Sequence, residues 1–148
     1  MKLLTAVAAI PFLLAVGSAA DAACVYPQAP QSLPNGTSAT KEEMLAAQTV
    51  IKDYTRAVQG PTPPKPDASP EELAKFNAER QASYLACLEQ EKNDAAAKLD
   101  PADPEFAQKT QNIEAIFAKK NNAAVDELTA VATRWSQEVK AFSAKAAK

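Results

Sequence analysis

The apolar positions fall into three helical runs separated by proline. In the first, Met44, Ala47, Ile51, Tyr54 and Val58 recur at alternating steps of three and four, the spacing of a coiled-coil seam. Thr40-Lys41-Glu42-Glu43 reads as a capping box, with Thr40 as N-cap and Glu43 at the third helical position. Gly60 ends the run, so a helix is predicted over residues 41–59. Ser69-Pro70-Glu71-Glu72 is a second capping box with proline at the first helical position. It opens a helix predicted over 70–99, with Leu73, Phe76, Tyr84, Leu85, Leu88 and Leu99 as its apolar contacts. Its outer face is charged: Lys75, Glu79, Arg80, Glu89, Glu91, Lys92 and Asp94. Asp100-Pro101-Ala102-Asp103-Pro104 breaks it, with Asp103 placed to cap a third helix and Pro104 to open it. That helix is predicted over 104–146, roughly 65 Å long. Ile113, Phe117, Ala124, Leu128, Val131, Trp135, Val139 and Phe142 mark its stripe; Asn121-Asn122 interrupts it, where the helix is expected to continue and a kink is the alternative.

Proline sets the remaining segments. Pro27, Pro30 and Pro34 exclude a helix before residue 40 and favour an extended, polyproline-like backbone, and Pro34-Asn35-Gly36 signals a turn. Residues 23–39 are therefore read as a strap lying on the helices. A proline-rich ligand for a partner domain is the alternative, disfavoured because a tethered strap stays occupied. Pro61, Pro63, Pro64, Pro66 and Pro70 make residues 60–70 a stiff connection.

The predicted fold is all-α: an elongated up-down bundle of three helices with coiled-coil-like packing and an extended Pro-rich N-terminal strap. It divides into residues 1–22, a strap at 23–39 and a helical domain at 40–148. If helices one and two run antiparallel, Cys87, about 26 Å along helix two, returns to the level where helix one, about 28 Å long, begins. The third helix then overhangs, or lies against both segments stacked end to end.

The start of the chain has its own pattern. Lys2, an apolar stretch over residues 3–16 and the small residues of 17–23 form a secretory signal, too short to span a membrane. The best cleavage point follows Ala22. Its removal takes away one Lys and one Asp, leaving the formal net charge at −2. Cys24 then stands near the mature N-terminus, and Cys87 is the only other cysteine. Lipid attachment to Cys24 is disfavoured by Asp21, three places before it. Export and an even cysteine count favour a Cys24–Cys87 disulfide over two free thiols. Closing a loop of about 62 residues, it would stabilise the fold by about 4 kcal/mol on the chain-entropy account.

Composition narrows the chemistry. Hydrophobic residues make up 47%, much of it Ala, and aromatics only 6%, so the core is thin. There is no His, which removes His-based metal sites and the usual general base of Ser or Cys nucleophiles. Beyond the signal only Gly36 and Gly60 remain, too few for a phosphate-cradling glycine loop. No basic stripe for nucleic acid is visible. Glu89 with Glu91, and Asp126 with Glu127, are the candidate acid/base pairs, but their Gln, Lys and Asn neighbours mark solvated faces. The same clusters lack the glycine-centred loop of a strong Ca²⁺ site. Trp135 and Phe142 read as core before ligand platform, and Lys119-Lys120 is a weak signal for an anionic surface. No catalytic residue, cofactor or metal is expected.

Cys24-Val25-Tyr26-Pro27, Pro34-Asn35-Gly36, residues 40–48, Tyr84-Leu85-Ala86-Cys87-Leu88 and residues 122–128 together cover about half the mature chain. In them the chain resembles small exported Gram-negative helical proteins of unknown function. The resemblance implies that the segment ending near Tyr54 and that starting near Tyr84 follow each other as one helix, with the proline stretch as an insertion. It brings no activity, cofactor or catalytic residue. The functional expectation is a periplasmic or secreted, non-enzymatic protein that associates with envelope components or with itself. The alternative is a chaperone- or inhibitor-like binder of other chains, gripping through exposed apolar residues near Ile113 and Phe117 or Trp135 and Phe142.

Overall fold

The computed structural model describes residues 23–147; the secretory signal expected over residues 1–22 lies outside them. The described chain is helical: α1 (Lys41–Gln59), α2 (Pro70–Gln81), α3 (Tyr84–Ala97) and α4 (Phe106–Ala146). α1 forms as its sequence dictates. The Thr40 hydroxyl accepts from the Glu43 amide at 3.2 Å, and the Glu43 carboxylate accepts from the Thr40 amide at 2.7 Å. Met44, Ile51, Tyr54 and Val58 are buried along its seam. Gly60 ends it at φ 89°, a conformation that costs other residues a Cβ clash.

The single helix expected over 70–99 is two helices, so there are four among the described residues. Ser83 is the break. Its hydroxyl donates to the Arg80 carbonyl at 2.7 Å and accepts from the Ala86 amide at 3.4 Å, closing α2 and capping α3. It is only 2% exposed, because the end of α1 sits on it: a Cβ added to Gly60 would lie 3.6 Å from the Ser83 Cβ. The expected start of the last helix also shifts, from Pro104 to Phe106. The Asp103 carboxylate accepts from the Glu105 amide at 2.7 Å and from Lys109 Nζ at 2.6 Å. That places it in the turn before the helix, and Glu105, the cap position, makes no side-chain cap bond. α4 runs through Asn121-Asn122 without interruption.

Cross-chain contacts fix the directions. Lys145 Nζ donates to the Ala39 carbonyl at 3.2 Å, just before α1 begins. Further along, Tyr54 shares a hydroxyl bond with Tyr26, whose hydroxyl also donates to the Ala124 carbonyl at 3.5 Å. On α3, Glu91 pairs with Lys120 at 3.6 Å. As the chain passes down α1 and then α3, its partners on α4 fall from 145 to 124 to 120. Both helices therefore run antiparallel to α4 and lie in tandem along it. Of the two arrangements the sequence left open, these contacts fit segments stacked end to end along the last helix and not an antiparallel pair with an overhang. The 41 residues of α4, about 62 Å, face α1 for one part and α3 for the next. Residues 60–83 leave the tandem and return almost to their starting point. α2, with no buried residue, packs on α3.

The core lies where the tandem meets α4: Ile51, Tyr54, Val58, Ala124 and Val131. The strap closes it, with Tyr26, Ala29 and Leu33 packed against that cluster and no helix or strand in residues 23–39. At its far end Asn35 holds a turn, its side chain accepting from the Thr37 amide at 2.9 Å. Gly36 is pressed onto α4. Its amide donates to Glu138 Oε2 at 2.7 Å, and a Cβ there would overlap the Glu138 carbonyl and reach 2.9 Å from the Phe142 nitrogen. Gly36→Ala should therefore lift this end of the strap and cost about 1–3 kcal/mol, the range for overpacking. Urea denaturation reads that loss, and wild-type stability in the variant would contradict the close approach.

Candidate functional site

The chemistry-bearing residues converge where the strap meets the first turns of α3. Cys24 and Cys87 are joined in a disulfide, with 5.8 Å between their Cα atoms. The adjacent strap amide, that of Cys24, donates to Glu91 Oε1 at 2.6 Å. The other oxygen of Glu91 faces Lys120, whose ammonium lies 4.9 Å from the Phe117 ring centre. One carboxylate thus ties strap, α3 and α4 together. Glu91 is half-buried but Lys120 is exposed, so the ion pair itself adds little, as surface pairs do.

Two residues on, Tyr26 inserts between the helices. Its ring meets that of Tyr84 edge-on, with centres 4.9 Å apart. Its hydroxyl lies 2.6 Å from that of Tyr54. Because it donates to the Ala124 carbonyl, the buried Tyr54 donates to it. Burial pushes the Tyr26 phenol well above the ordinary tyrosine range, and its contacts with Tyr54 and Glu127 push it further. Tyr26 therefore stays a neutral donor, neither base nor nucleophile.

The carboxylates proposed in pairs do not act together. Glu89 turns outward to Lys92 at 2.8 Å, while Glu91 faces the strap. Asp126 and Glu127 are both exposed on α4, and only Glu127 approaches Tyr26. Lys120 is committed to Glu91, leaving Lys119 exposed. Trp135 packs half-buried on the core, and Phe142 is half-buried beside Gly36. Among the described residues no group of three His, Cys, Asp or Glu is placed to hold a metal, and no helix is long and apolar enough to cross a membrane. Sequence reasoning located Cys24 and Cys87 but missed Tyr26, Glu91 and Glu138, the polar anchors of the strap. Only the place of Tyr26 two residues after the cysteine hinted at its role.

An open groove of about 900 Å³ runs beside the disulfide, with Cys87, Glu91, Lys98 and Phe117 in its walls. The site as a whole is a latch: a covalent bond, a shared carboxylate and a tyrosine pair hold one extended segment in a helical groove.

Cys87→Ala should keep the helix content but lower stability by up to about 4 kcal/mol on the chain-entropy account, and expose residues 25–36 to protease. Tyr26→Phe should cost about 1–2 kcal/mol by leaving the buried Tyr54 hydroxyl unpaired. The raised phenol pKa means that its contribution is complete below the unfolded tyrosine value, near 10, and is lost as pH rises beyond it. Tyr26→Phe should therefore also flatten the alkaline limb of stability against pH, which thermal melts across that range would read. No family model matches the chain, and neither a curated protein nor a solved structure matches it.

Proposed function

We propose that the chain is an exported, non-enzymatic helical protein that acts by association, with a component of the cell envelope or with another copy of itself. The observation that carries this reading is a second apolar line on α4. Val125, Ala132 and Val139 are spaced by seven, about two turns each, and all three are exposed, the valines at 43% and 38%. They span about 21 Å and sit about 100° round the helix from the buried Ala124 and Val131. A coiled-coil-like partner helix fits such a line. Export is supported by the signal pattern of residues 1–22 and by the disulfide, which suits an oxidising compartment such as the periplasm or the exterior.

A chaperone- or inhibitor-like role is the second reading. It draws on Ile116, 54% exposed near the start of α4. Its neighbours Ile113 and Phe117, and Trp135 and Phe142 at the other end, are half-buried, so fewer of the residues this reading needs are open to a partner.

The mature protein should therefore dimerise with concentration in light scattering, or co-sediment with purified envelope and crosslink to it. Val125→Glu with Val139→Glu should abolish the association while moving stability by no more than about 0.5 kcal/mol per site, as exposed positions do. A chain that stays monomeric at every concentration and leaves the envelope fraction unlabelled would contradict this reading.

A further inference from the structure

A second feature lies where α1 ends. Gly60 lacks a side chain, so the stem of Arg80 crosses the end of α1, its Cγ 3.4 Å from where a glycine Cβ would stand. This brings Arg80 beside Lys52 and Arg56, and the three line one pocket of about 660 Å³. Phe76, Pro61 and Pro63 supply its apolar walls, and among the described residues no Asp or Glu lines it. Among the described residues none of the three cations is in an ion pair.

Helix-end electrostatics explains part of this. Arg56 and Arg80 occupy the last turns of α1 and α2, where a cation offsets the carbonyl end. It does not explain Lys52, one turn earlier and four residues from Arg56, a like-charge spacing that destabilises a helix. Arg80 adds a third positive charge from another helix. An anion placed in the pocket would meet positive side chains from two helices and no carboxylate among the described lining residues. A phosphate monoester, carrying about −1.5 to −2 at neutral pH, matches the charge, and guanidinium groups match its oxygens in pairs. The apolar walls suit an organic group next to the phosphate.

We propose that this pocket binds a phosphate monoester, with Arg56 and Arg80 holding the phosphate and Phe76 with the two prolines taking the adjoining organic part. The proposal deepens the reading of association with envelope components and rests on it for its setting. The phosphate belongs either to a lipid headgroup or to a small soluble ester.

The test titrates the mature, disulfide-bonded protein with phenyl phosphate at low salt, followed by calorimetry and amide chemical shifts. A parallel arm measures flotation with phosphatidylcholine vesicles with and without phosphatidic acid. Phenyl phosphate should bind and shift amides around Arg56, Gly60 and Arg80. Arg56→Gln or Arg80→Gln should weaken binding about tenfold, the loss of one charge-assisted bond, while Lys119→Gln, an equal charge change on exposed α4, should leave it unchanged. Lys52→Gln, at an exposed position, serves if either arginine variant fails to fold. Flotation dependent on phosphatidic acid and on Arg56 assigns the lipid source, and phenyl phosphate binding without flotation assigns the soluble one. No binding in either arm, or equal losses with Lys119→Gln, overturns the pocket; lowered melting of the arginine variants beside that result would leave them as helix-end cations only. If the pocket fails while envelope crosslinking persists, the broader reading stands. If phenyl phosphate binds but neither envelope association nor dimerisation occurs, that reading falls alone.

Discussion

One covalent bond, between the start of the strap and the first turn of α3, sets which groove the strap fills. The core has few aromatics to work with, and two of them, Tyr26 and Tyr54, meet through their hydroxyls at 2.6 Å. Without a tether, an extended segment with three proline-spaced apolar contacts, Tyr26, Ala29 and Leu33, would lose much of its packing energy to the entropy of ordering. The disulfide removes part of that entropy from the unfolded chain, so modest contacts suffice. Glu91 at one end and Glu138 at the other then accept strap amides at 2.6 and 2.7 Å, satisfying backbone donors that a helix or sheet would otherwise pair.

The second constraint is steric and lies at Gly60 and Ser83. α1 and α3 stack in tandem because the end of one carries no side chain where it meets the buried cap of the other. That junction lets one long helix serve two short ones. It also throws residues 60–83 out as an excursion, and so carries Arg80 back over the end of α1. The same two small residues thus shape the fold and assemble the cationic pocket.

What the sequence made legible follows from range. α1 could be read to the residue because its cap, seam and terminator are local: Thr40 with Glu43, steps of three and four, and Gly60. The cysteine pairing could be read because only one partner exists. The break at Ser83 could not, since Ala82-Ser83-Tyr84 is compatible with a continuing helix and only contact with Gly60 makes the cap worthwhile. Whether the first two segments pair antiparallel or stack end to end along the last helix stayed open, because a proline connection followed by a helix is compatible with either. Asp103 does accept the amide two residues on, as a capping side chain would, and it also takes Lys109, but the regular helix sets in only at Phe106. Tyr26, Glu91 and Glu138 left no periodic trace, because their partners lie 28 to 102 residues away.

The fold depends on the strap being latched to α3 of its own chain. Intact mass of the protein after thiol labelling, with and without reductant, followed by mapping of the linked peptides, tests this directly. The account predicts no label before reduction, two labels after it, and one peptide pair joining Cys24 to Cys87 within a single chain. Two labels taken up without reduction, a link between chains, or a lipid mass on Cys24 would contradict it.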